Sequence, residues 1–213
     1  AAAGRETAAL AARASSLREL LRRLERFARS ITPRVKPPRG APAISPSRKP
    51  ARRAFVPDLA FSKARGRVPR PVSGPLIGSF GTERPEGGRF EGVRYRTRDE
   101  AVVTAPFNAD VIFARPWRPV SDLVVNLVVL DVGEGYHILF MGLGSFLVEA
   151  GQEVAAGEPI GMMQGKNARL DVEIRQGGDP VNPALWINDE ARPADDDSVN
   201  RRATRTGFLT PDD

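Results

Sequence analysis

The stretch Gly165-Lys166-Asn167-Ala168-Arg169-Leu170-Asp171-Val172-Glu173-Ile174 decides how this chain is read. From Leu170 to Arg175 apolar and charged residues alternate, the pattern of a strand with one face turned to a core. Asp171 and Glu173, two residues apart, share the other face. A Gly-rich turn, Gln176-Gly177-Gly178, follows, and then the close Val181-Asn182-Pro183-Ala184-Leu185-Trp186-Ile187.

Working upstream, residues 72–187 read as all-β. Short apolar or alternating runs are separated by turn residues at close intervals. The candidate strands are Pro75–Phe80, Gly92–Thr97, Ala101–Thr104, Asp110–Ala114, Leu123–Asp131, Tyr136–Met141, Glu153–Val154, Ile160–Gln164 and Leu170–Arg175. The run from Leu123 to Leu130 is the richest in β-branched residues and predicts a central strand. Val132-Gly133-Glu134-Gly135-Tyr136 reads as a tight hairpin turn.

The remaining segments differ in composition. Residues 1–31 predict an amphipathic helix, helical over 5–31. Leu10, Leu17, Leu24 and Ile31 recur every seven residues, with Leu20 and Phe27 between them. This is either a coiled-coil seam or a helix packed on its own domain. Residues 32–71 form a basic linker that holds six prolines between 32 and 54. Residues 188–213 are an acidic polar tail. The 213-residue chain carries a net charge of +6, unevenly spread. Residues 1–71 hold 18 Lys/Arg and 4 Asp/Glu, a net of +14, while residues 72–213 hold 14 and 22, a net of −8. A basic arm joined to an acidic domain could meet nucleic acid, but no nucleic-acid-binding fold or aromatic–basic interleaving accompanies it, and no nucleic acid is expected as a partner. There are no cysteines, so neither disulfides nor thiolate metal sites are available. The chain starts without Met inside a helical pattern, and a fragment whose true N-terminus lies upstream is expected.

Taken in order, these elements resemble the LytM (lysostaphin-type) peptidoglycan metallopeptidases. The resemblance covers Val72-x-Gly74 with Phe80-Gly81, the Ala105–Ala114 segment, the strand pair Val124–Asp131 and Tyr136–Phe140, and Gly151-Gln152-x-Val154-x-x-Gly157. It continues through Leu170-x-Val172-Glu173-Ile174 to Val181-Asn182-Pro183-x-x-Trp186. It implies a mainly β, antiparallel-sheet domain over 72–187. Active members bind zinc through a His-x-x-x-Asp motif and the second His of His-x-His, and the metal activates water and polarises the scissile carbonyl. Here the early ligand positions fall on Phe90 and Arg94, the His-x-His positions on Arg169 and Asp171, and a further catalytic His position on Phe140-Met141-Gly142. The resemblance therefore implies a degenerate site with no metal, no cofactor and no catalysis. His137, the one histidine, is expected on the surface, facing away from the groove that Phe140 lines.

A helix, a basic linker and a degenerate LytM domain together resemble the EnvC-type murein hydrolase activators. That resemblance implies a periplasmic, non-enzymatic protein acting in septal peptidoglycan splitting. It implies binding of an N-acetylmuramoyl-L-alanine amidase, engagement of the FtsE–FtsX complex through an N-terminal coiled coil, and contact with peptidoglycan. The partner-binding groove is expected along Phe90, Arg94, Phe140, Arg169 and Asp171, with Tyr95 and Arg96 at its rim. Aromatic residues and arginines are what interface hot spots are made of. Leu17, Leu20, Leu21, Leu24 and Phe27 have the spacing of a restraining helix laid in that groove. The alternatives are a zinc metallopeptidase of peptidoglycan cross-links and a peptidoglycan-binding module that does not cut.

Overall fold

The structure, a computed structural model, describes residues 15–24, 59–120 and 123–188. The Pro-rich part of the linker, the outer turns of the helix with Phe27, and the tail beyond residue 188 lie outside the described residues. Helix α1 covers residues 15–24. The strands are β1 (Val68–Pro69), β2 (Leu76–Gly78), β3 (Val93–Thr97), β4 (Val102–Thr104), β5 (Ala109–Val120), β6 (Leu123–Gly133) and β7 (Tyr136–Met141). They continue as β8 (Ser145–Phe146), β9 (Glu153–Val154), β10 (Pro159–Met162), β11 (Ala168–Gln176), β12 (Asp179–Val181) and β13 (Ile187–Asn188).

The fold is mainly β, as the sequence predicts. An antiparallel sheet runs β2-β3-β11-β7-β6-β5-β9, with β12 paired to β11. A second sheet runs β4-β10-β8, and β1 pairs in parallel with β13. The β-branched run becomes β6, held between β5 and β7. It turns into β7 through Glu134-Gly135, both with positive φ (55° and 75°), the backbone a two-residue primed turn requires.

β7 is buried along its whole length because both faces of the sheet are covered. One face packs into the main core through Val128, Leu130, Ile138, Phe140, Val172 and Ile174. The opposite face carries Phe113, Trp117, Leu127, Val129, Leu139 and Met141, and α1 lies on it. Leu17 and Leu21 are the buried helix residues, flanked by the half-buried Leu20 and Leu24. The stripe 17/20/21/24 has the period of a helix resting on a surface, and Leu21, off the seven-residue seam, is completely buried. Burying these two leucines stabilises the docked helix by roughly 2 kcal/mol each, an upper estimate.

The folded core also begins upstream of residue 72. Phe61 stacks on Trp186 (centroids 5.6 Å apart, 5° between planes) and meets Phe107 edge-on at 5.2 Å. Trp186 Nε1 donates to the Phe61 carbonyl at 3.0 Å. Phe61, Ala64 and Val68 are buried with the main core. Ser62 is tied to the β6–β7 turn, since its backbone N–H and hydroxyl both donate to the Glu134 carboxylate (2.9 and 3.1 Å). These bonds lower the Glu134 pKa. Residues 59–71 are thus part of the domain rather than of the linker.

Candidate functional site

β3 and β11 pair so that Arg94 stands opposite Asp171 and Arg96 opposite Arg169, while Asp171 stands opposite Met141 on β7. Residues directly opposite point to one side of a sheet. Arg94, Asp171 and Met141 therefore share the face that carries α1.

Asp171 is the centre of a charge network. Arg94 grips it with two bonds, Nε to Oδ1 at 2.6 Å and Nη2 to Oδ2 at 3.0 Å. Arg84 Nη1 lies 3.5 Å from Oδ2 on the other side. Arg94 Nη1 also donates to Glu86 at 2.7 Å, and Arg169 Nη1 reaches the same Glu86 oxygen at 3.1 Å. Phe90 lies under the network, with the guanidinium carbons of Arg84 and Arg94 4.6 and 4.9 Å from its ring centre. The ring fits because residue 78 is glycine: a Cβ there would come within 2.4 Å of Phe90. Arg94 and Asp171 are both nearly buried. The hydrogen bonds from Arg94 to Asp171 raise the Arg94 pKa further above its ordinary value, against the opposing effect of burial. For Glu86, burial acts upward, but the hydrogen bond and charge of Arg94 and the charge of Arg169 prevail, and its pKa is lowered.

These residues do not suit a metal ion. Phe90 has no donor atom, and a guanidinium offers only N–H donors and a fixed positive charge. The two carboxylate oxygens of Asp171 already accept from arginine. At the positions that the resemblance assigns to metal ligands, the Arg94 guanidinium lies against the Asp171 carboxylate.

The other expected residues divide. Phe90, Arg94, Arg169 and Asp171 come together as read. Arg96 is exposed on the same face. Two expectations are corrected by burial: Phe140 and Tyr95 do not line the groove but lie in the main core, 0% and 1% exposed. Phe140 pairs with Val172 and Tyr95 with Leu170, one residue out of phase with Asp171. The period-two rule then moves His137 too. It stands opposite Arg175 and Asp131, on the Met141 face, and is 2% exposed rather than on the surface. Beside it the buried Arg175 donates to Glu173 (Nε 2.9 Å, Nη2 2.7 Å), to Glu91 and to the Gly178 carbonyl (2.9 Å). Glu173 and Arg175 thus satisfy each other.

Arg84 and Glu86, the two residues that complete the network, were not singled out in the sequence. They lie in the charged turn Glu83-Arg84-Pro85-Glu86-Gly87-Gly88, whose composition says only that it is a turn. Leu17 and Leu21 of the expected restraining helix do lie on the face that holds Asp171. They cover β5, β6 and β7, and their nearest link to the network is Met141, the cross-strand neighbour of Asp171.

Residues 88–183 match Peptidase family M23. The chain is 35% identical over 131 residues to an uncharacterised protein of Neisseria meningitidis serogroup B, covering 60% of this chain and 21% of that protein. It is 33% identical over 128 residues to the murein hydrolase activator EnvC of Escherichia coli K12, covering 58% of this chain and 29% of that protein. It spans less than a third of the length of these curated relatives. Among solved structures it is similar to the catalytic domain of the prophage-encoded M23 protein EnpA from Enterococcus faecalis, at 19% identity and a TM-score of 0.45, over 55% of this chain and 92% of that one. The matched segment, residues 88–183, is the one that holds Phe90, Arg94, Arg169 and Asp171.

Proposed function

We propose that this chain is a non-catalytic activator of periplasmic N-acetylmuramoyl-L-alanine amidases in septal peptidoglycan splitting, with α1 as its restraint. The observation that carries the reading is the Arg94–Asp171 ion pair, at positions that the resemblance assigns to metal ligands, on the sheet face that also carries α1. An M23-type domain and the relation to EnvC support a peptidoglycan-related, extracytoplasmic role. The apolar strip Leu127, Val129, Leu139, Met141, Phe113 and Trp117 accepts the Leu17/Leu21 face of α1, so an amidase helix with a similar apolar face could compete for that seat. Arg94, Arg169 and Glu86 border the strip and would meet polar groups on such a helix. The FtsE–FtsX contact would fall to residues upstream of α1.

The test is dye release from labelled sacculi by the cognate amidase. Deleting residues 1–54 is expected to raise activation by exposing the strip, and Leu139→Arg in the truncated chain should abolish it. Activation that is unchanged or lower after deletion would overturn the restraining role. Muropeptide cleavage by this chain without any amidase would overturn the non-catalytic reading.

A further inference from the structure

Where β3 and β11 part, the chain leaves a cleft of about 600 Å³ that shares only Arg96 with the groove expected from the sequence. Arg96, Thr97, Arg98, Lys166 and Asn167 line it, with Gly74 and its neighbours as the opposite wall. Residue 74 has to be glycine, because a Cβ there would sit 2.1 Å from the Arg96 carbonyl oxygen, and its φ is +140°. The two loops that frame the cleft are locked together by Asp99, whose Oδ1 accepts from the backbone N–H of Gly165 (2.6 Å) and of Glu100 (3.1 Å). Glu100 and Asn167, in these loops, are two of the three non-glycine residues with positive φ among the described residues. Backbone in that region is costly and is often kept for a binding role.

The charge here runs against that of the domain. Residues 72–213 are net −8, yet Arg96, Arg98 and Lys166 converge with Asp99 alone, and Asp99 is engaged by backbone. Arg96 also stands directly across from Arg169, and like charges so placed destabilise a strand pair. Glu86 offsets Arg169. Among the described residues neither Arg96 nor Lys166 enters an ion pair. Convergent cations without an ion pair among the described residues suit the phosphate of an anionic headgroup.

We infer that this cleft binds the phosphate of an anionic lipid headgroup, with Arg96 and Lys166 as its principal ligands. The experiment is flotation of the full chain with vesicles of phosphatidylglycerol and phosphatidylcholine in equal parts. A basic residue at an anionic surface contributes about fivefold, so Arg96→Ser/Lys166→Ser should weaken binding roughly 25-fold. Both side chains are exposed, so the variant should keep its thermal melt. The control is Arg52→Ser/Arg53→Ser, which removes the same charge from the basic arm, and it should lose much less. Equal losses in the two variants would mean diffuse attraction and overturn the site, as would unchanged binding by the first. Glycerol phosphate competing as well as vesicles would place the affinity in the phosphate alone and remove the membrane from the inference. Loss of soluble muropeptide binding, with vesicle binding intact, would overturn it in favour of a peptidoglycan carboxylate.

Discussion

The face of the large sheet that carries α1 has two halves of opposite chemistry. Over β5, β6 and β7 it is apolar and held by Leu17 and Leu21. Over β3 and β11 it is ionic and holds itself, through Arg94, Asp171, Arg84, Glu86 and Arg169. The first half needs an occupant, since six large apolar side chains would otherwise face water. The second needs none, because each of its charges has a partner of opposite sign in place. A cover that can be exchanged belongs on the first half, and a fixed border that sets register and specificity belongs on the second.

The largest expected effect tests the ionic half. Asp171→Ala leaves Arg94 and Arg84 without their shared carboxylate in a nearly buried position. Removing one partner of such a pair typically costs about 3–5 kcal/mol, so the denaturant midpoint should fall sharply. Arg94→Met/Asp171→Leu should recover most of that loss. If the double variant is as unstable as Asp171→Ala, the network is not self-contained and the contrast between the halves fails.

Leu21→Ala tests the apolar half. A buried leucine truncated to alanine costs about 2–5 kcal/mol, and here the loss should fall on docking of α1 rather than on the sheet. Hydrogen exchange should accelerate over residues 15–24 while β6 and β7 stay protected. If α1 and the sheet lose protection together, the helix is an integral layer and not a cover.

The smallest effect concerns charges of one sign. Asp110 stands across from both Asp131 and Glu153, and its pKa is raised by partial burial first, then by those two carboxylates. A carboxyl with a raised folded pKa destabilises the fold when ionised, and that penalty disappears as pH falls and the folded state takes up the proton. Asp110→Asn should therefore raise the melting temperature slightly at neutral pH, and the gain should shrink on acidification. Glu86 has the opposite sign: its lowered pKa makes it stabilising near neutrality, a contribution lost as pH falls through that pKa. A gain for Asp110→Asn that grows in acid would show that like-charge repulsion is not the cause.

Much of the fold was legible because its strands are either strictly alternating, as in β11, or continuously apolar, as in β7. The resemblance put Arg94 and Asp171 at one site, but not their ion pair. Phe140 was misplaced because in a strand buried on both faces the sequence carries no mark of which residues face which side. Met141, one position on, holds the place assigned to it. Phe61 was hidden in a stretch whose prolines and basic residues resemble linker, and only its stack on the distant Trp186 shows that the domain has begun. Arg84 and Glu86 reach the site by a turn whose path no local pattern gives. For α1, the seven-residue recurrence was real, but burial follows Leu17 and Leu21, because a flat sheet selects a different stripe than a partner coil would.

The short pair β1–β13 has a mechanical consequence. The two strands run parallel, so the incoming end of one and the outgoing end of the other lie at opposite ends of the pair. A load applied between the two ends of the domain would act along the strands. The bonds Gly66 N–H to Leu185 O and Val68 N–H to Trp186 O, both backbone, would then have to slide together rather than open one at a time. The Phe61–Trp186 stack lies beside them and resists the same displacement. A pull between the two ends of the domain would load this clasp in shear, the direction in which so small a clasp holds best.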